Sequence, residues 1–243
     1  MSPGNYKYIM KMLLIAFILV LITGALSHSQ PRLEATAPEF DFGYTPQNVK
    51  LVHHFWFKSV GTDTLLINEI KTGCACAVMP LERDWLAPGD SMKVGIYWNV
   101  KRSLGKIERS PRVFTNAGPD PVRLHLKGTV IHYPDSARPV SPKPFKFLLA
   151  SSPSQDIDSL SFTLTNHSSQ NLAVSLASVP PEEVELILPD SVRALASSTG
   201  YVKLRPEFAD SEFQTSITLL MSDQGHTHIT IPIGRKFYGV EEK

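Results

Sequence analysis

The chain has 243 residues, 42% of them hydrophobic and 19% charged, with 24 Lys and Arg against 23 Asp and Glu. That composition supports a packed core and excludes a disordered chain. A formal net charge of +1 leaves no electrostatic footprint for nucleic acid, and no run of like charge marks a membrane-surface patch.

Lys7 and Lys11 precede residues 12–26, a stretch without charge that polar residues close at Ser27. About fifteen apolar residues suit the hydrophobic region of a signal peptide better than a membrane span, which needs roughly twenty. Residues 1–29 are therefore expected as a leader helix, either a signal peptide cut after Ser27 or an uncleaved N-terminal anchor. Only the uncleaved form would place the protein at a membrane.

After the leader the pattern turns to short strands. Residues 33–43 read as an opening strand with Phe40 and Phe42 on one face. Residues 51–59 have strong β composition, with Phe55 and Phe57 sharing a face and Trp56 opposite. Gly61 to Thr64 make a turn, and 65–71 form the next strand. Cys74 and Cys76, the only cysteines, open a loop expected to run to Trp85. Pro88 and Gly89 turn the chain. In 92–100, Met92, Val94, Ile96, Trp98 and Val100 alternate onto one face. Gly105 marks a hairpin, and 107–116 and 122–130 supply two more strands. About seven strands in roughly a hundred residues is the pattern of an immunoglobulin-like sandwich, here over 34–130.

Residues 131–144 contain four prolines and read as a stiff linker. The pattern then repeats over 145–238. Setting Phe55 on Phe162 also sets Leu65 on Leu172. The expected fold is all-β: two tandem immunoglobulin-like sandwiches behind the leader, the second degenerate and without cysteines.

Two thiolates one residue apart can chelate a soft metal such as copper or zinc, and His53 or His54 on the preceding strand can complete such a site. The competing readings for Cys74 and Cys76 are thiol–disulfide exchange and a purely structural role. A bridge between them needs a tight turn, because an extended spacing puts their Cα atoms roughly 6.5 Å apart, near the upper limit. His226 and His228 are expected on the same face of a strand, since side chains alternate, a spacing that can hold a metal. Asn166 heads a glycosylation sequon, and Ser103 with Lys106 matches a Ser-x-x-Lys string in the wrong setting, a hairpin. Phosphate loops, nucleophile elbows and dinucleotide fingerprints do not occur, so the reading is not an enzyme.

The series Phe40-Asp-Phe-Gly43, Phe55-Trp-Phe-Lys58, Gly61, Leu66-Ile67, Thr72-Gly-Cys-Ala-Cys76, Pro88-Gly89, Gly105, Thr115-Asn116 and Leu126-Lys-Gly128 resembles the bacterial domain of unknown function 1573. The resemblance covers about 34–130. It implies an exported immunoglobulin-like domain and no particular activity. That family usually carries Cys-Gly-Cys, where this chain has Ala75. The expectation is a non-catalytic binding or scaffold protein of the periplasm or cell envelope, with an envelope protein or glycan as partner and no cofactor. The alternative is copper or zinc handling through Cys74 and Cys76 with a nearby histidine.

Overall fold

The computed structural model describes residue 10, residues 30–73 and residues 76–238. Apart from residue 10, the expected leader helix lies outside these, and so does Cys74. Among the described residues, no helix is long and apolar enough to cross a membrane.

The fold is all-β. In the first half the strands are β1 (Leu33–Thr36), β2 (Glu39–Pro46), β3 (Val49–Ser59), β4 (Leu65–Lys71), β5 (Cys76–Val78), β6 (Trp85–Leu86), β7 (Ser91–Val100), β8 (Gly105–Arg109), β9 (Arg112–Thr115), β10 (Val122–Arg123) and β11 (His125–Ile131). The opening strand expected over 33–43 is split in two. Ala37 sits at φ 48, a left-handed conformation that interrupts a strand, and Pro38 follows without an N–H for the ladder. Cys76, expected in a loop, instead starts β5, because the outer side of β7 offers an open edge for pairing.

The second half contains β12 (Val140–Lys143), β13 (Phe147–Ser152), β14 (Gln155–Asp156), β15 (Ser159–Asn166), β16 (Leu172–Leu176), β17 (Val184–Ile187), β18 (Ser191–Val192), β19 (Ser197–Leu204), β20 (Phe213–Met221) and β21 (His228–Phe237). Part of the proline-rich segment expected as a linker is thus a strand. Val140, Ser141 and Pro142 of β12 are buried as β12 pairs with β15. Proline is tolerated there because β12 is an edge strand.

Both halves use one strand order. One sheet runs β1-β3-β7-β5 in the first half and β12-β15-β19-β17 in the second. The facing sheet runs β6-β4, then β9 and β8 as consecutive pieces of one line, then β11-β2. Its counterpart runs β18-β16-β20-β21-β13. Pro111, between β8 and β9, divides what is a single strand in β20. The parallel pairs also correspond, β11 with β2 and β21 with β13. Phe55 and Phe162 fall on matching strands, and each is 1% exposed in its own core.

Each half closes around a separate apolar cluster. The first is built on Phe42, Phe55, Phe57, Ile96 and Trp98, and the second on Phe162, Leu164, Ile217 and Ile231. Full burial of such side chains contributes roughly 1.5–3 kcal/mol each. The halves are joined edge to edge: β2 pairs in parallel with β21, Gly43 and Tyr44 lying opposite Ile229. Thr230 Oγ1 donates to the Phe42 carbonyl at 2.5 Å. Tyr44 and Ile131, from the first half, pack on the second core.

Candidate functional site

Cys76 lies at the sheet edge, opposite Trp98 of β7. Thr72 Oγ1 donates to its carbonyl at 2.8 Å. The side chain is half-buried against the first core, and burial pushes the thiol up to about 11, with the Arg109 guanidinium pulling the other way.

The two histidines do not approach it. His53 lies in β3 opposite Ile96, and Ile96 in turn lies opposite Val78 of β5. All of β7 therefore stands between His53 and Cys76, a lateral separation of about 10 Å at normal strand spacing. The His53 ring stacks on Phe40 with centroids 3.6 Å apart and meets Phe55 edge-on at 4.7 Å. Burial, helped by the neighbouring His54, lowers its pKa to about 3. His54 alternates to the other face of the sheet. Among the described residues, no group of three or more His, Cys, Asp or Glu side chains gathers as metal ligands.

His226 and His228 do not share a strand face. His226 sits in a turn at φ 47, where Asp223 accepts from the Gly225 and Thr227 backbone N–H groups, and β21 begins only at His228. Asn166, at the head of the sequon, is 1% exposed, and its amide donates to the Gln170 and Val192 carbonyls at 2.7 and 3.1 Å. Trp98 is in the core and Trp56 is exposed, each as alternation along its strand places it.

The geometry gathers polar and aromatic side chains elsewhere, at the junction of the halves. The outer face of β3 presents Val52, His54 and Trp56 towards the second half, where they line a cleft of about 420 Å³. The far wall is the segment between β16 and β17, with Val179 three-quarters exposed and Glu182 at its end. Lys93 Nζ bridges the two walls to Glu182 Oε1 at 2.5 Å. That hydrogen bond, with the lysine charge, holds the Glu182 carboxyl below its usual range, whereas burial raises Glu183. Burial lowers His54, and Lys93 adds to the effect while Glu182 opposes it. Gly95 makes room for the cleft floor: a Cβ there would lie 2.1 Å from Met79 Sδ and 3.1 Å from the His54 ring.

Residues 33–130 match a family model, DUF1573, described as a protein of unknown function. The matched segment is the first half of the fold, including β3 and Cys76. No curated protein matches the chain. Among solved structures, a protein of unknown function from Porphyromonas gingivalis is similar at 8% identity and TM-score 0.35, over 84% of this chain and 99% of that one. The PapD-like domain of human CEP192 aligns at 15% identity and TM-score 0.33, over 43% and 88%. The VesB protease of Vibrio cholerae aligns at 12% and 0.34, over 40% and 31%. Scores at this level carry no functional argument.

No local sequence pattern marks the cleft as a whole, because its walls lie more than a hundred residues apart. One signal was present. The alternation that buries Phe55 and Phe57 must turn Val52, His54 and Trp56 outward together, and an apolar, aromatic outer face calls for a cover.

Proposed function

We propose that this protein is a non-catalytic binding or scaffold protein of the cell envelope, built of two immunoglobulin-like sandwich modules and exported on residues 1–29. The observation that carries the reading is the junction. Two halves of equal strand order are fused through β2 and β21, and Trp56 stands 46% exposed over the cleft they leave. The halves that flank the cleft are held by the β2–β21 pairing, and a preorganised site has a lower ordering cost on binding. Tryptophan in such a place supplies a large contact area at little entropic cost and is frequent among binding hot spots. The match of residues 33–130 to a family of unknown function is compatible with this reading and adds no activity. The partner is an envelope protein or glycan that enters the cleft against Trp56 and Val179.

A photo-crosslinking residue at Trp56, in the protein expressed in its own envelope, tests this. A discrete adduct is expected, absent when the same residue replaces Trp85, which is equally exposed but lies away from the cleft. Equal labelling at both positions, or none at Trp56, would overturn the proposal.

A further inference from the structure

The junction carries a second opening whose chemistry differs from the first. Strand β1 pairs with β3 only over Trp56–Ser59, so the edge of β3 before Trp56 faces the second half instead of a neighbouring strand. The contact of Val52 N–H with Ser216 Oγ pinches this groove. On one side is the cleft under Trp56. On the other is a broader depression of about 560 Å³.

Four lysines line that depression. Lys50 and Lys101 come from the first half, Lys146 and Lys236 from the second. No carboxylate lines it, and none of the four is in an ion pair among the described residues. The chain as a whole is nearly neutral, at +1, so this is a local concentration of charge. A concave wall of one sign focuses the field into the concavity. Between the lysines stand three neutral amides, Asn48, Asn99 and Gln214. Gln214 Nε2 donates to the Ile233 carbonyl at 3.0 Å, which fixes the orientation of that amide. The apolar part of the lining is Val49, Val100, Phe147, Leu148 and Pro232, of which Leu148 is 42% exposed.

We infer that this depression binds an acidic oligosaccharide. The lysines are point charges suited to several separated carboxylates. The amides match hydroxyl groups, and the apolar lining, with Leu148 exposed, matches the C–H faces of sugar rings. The volume lies in the range of sites for ligands of this size and far exceeds one small anion. Because two lysines come from each half, a bound polyanion also relieves repulsion across the junction and ties the halves together. The inference rests on this geometry and stands apart from the envelope reading and the Trp56 cleft.

Calorimetric titration of the full chain with trigalacturonate tests it. Maltotriose, inorganic phosphate, hexaglutamate and anionic phospholipid vesicles serve as comparisons. Trigalacturonate is expected to bind, to raise Tm, and to weaken as salt rises, since exposed charge pairs are screened. A Lys50→Gln/Lys146→Gln variant is expected to bind at least about tenfold more weakly, and so is Lys101→Gln/Lys236→Gln. Lys127→Gln, whose lysine pairs with Asp41 outside the depression, should bind as the unaltered protein does. Variant Tm values without ligand establish that folding is retained. Absence of trigalacturonate binding, equal weakening in Lys127→Gln, or binding unaffected by both lysine pairs would overturn the inference. So would equal or tighter binding of maltotriose, phosphate, the peptide or the vesicles.

Discussion

The backbone N–H of Val52 donates to Ser216 Oγ at 3.0 Å, across 164 residues of chain and at a point where both residues are buried. It is a polar contact holding the two halves together in the middle of their junction. Removing the hydroxyl leaves a buried N–H without a partner, which costs roughly 1–3 kcal/mol. Ser216→Ala is therefore expected to lower the urea midpoint by that equivalent. A variant as stable as the parent would mean that the junction relaxes or admits water at no cost.

How much of this was legible from the chain depended on distance along it. Alternation placed Phe55, Phe57, Ile96 and Trp98 in the core, because a two-residue period is a local property. The same alternation puts His53 on the line of Leu51 and Phe55, and its ring accordingly packs against Phe40 and Phe55. The strand at Cys76 is not legible in the sequence, because a three-residue edge strand has no period to show. It exists because β7 has an open side. Val52 with Ser216, Lys93 with Glu182, and the four lysines join residues from opposite halves. No local pattern encodes such pairs. The equal strand order of the halves was foreshadowed by the spacing of Phe55 to Leu65 and Phe162 to Leu172.

Gly43 is where the joined sheets come closest. Its φ is +60, and a Cβ built there would lie 1.9 Å from the His228 carbonyl oxygen. Backbone cannot move aside as a flexible side chain can, and a non-glycine residue also resists that φ. Gly43→Ala is expected to cost more than about 3 kcal/mol, since overpacking and backbone strain act together. Thermal unfolding checks this, and hydrogen exchange should locate the lost protection at β2 and β21. A shift in Tm below that of Ser216→Ala would contradict the close approach.

Acid sensitivity should trace in part to His53. Its ordinary pKa is 6.5, and burial lowers it to about 3 in the folded chain. Between those values the unfolded chain binds a proton that the folded chain does not. The contribution to stability is therefore full above 6.5 and is lost as the pH falls towards 3. His53→Phe keeps an aromatic ring against Phe40 and removes the titration. The loss of unfolding free energy between pH 7 and pH 4.5 should then be smaller by on the order of 1–3 kcal/mol. The lowered pKa of His54 leaves a residual slope of the same sign. An unchanged pH profile in His53→Phe would place the acid sensitivity elsewhere.

The reactivity of Cys76 separates the chemical readings of the cysteines. Nucleophilic and metal-binding sulfur is thiolate, and burial against the first core raises this thiol from 9.0 to about 11. At pH 8 the folded form is then thiolate about a hundredth as often as an unperturbed cysteine. In a Cys74→Ser background, iodoacetamide labelling of folded protein at pH 8 should run about a hundredfold slower than in urea. Half-burial slows it further by limiting access. The rate should rise steeply with pH up to about 11. Fast labelling at neutral pH would instead identify an activated thiol and revive the exchange reading. A slow rate leaves Cys76 as a packing residue at the end of the sheet, where Thr72 Oγ1 bonds its backbone carbonyl rather than its sulfur.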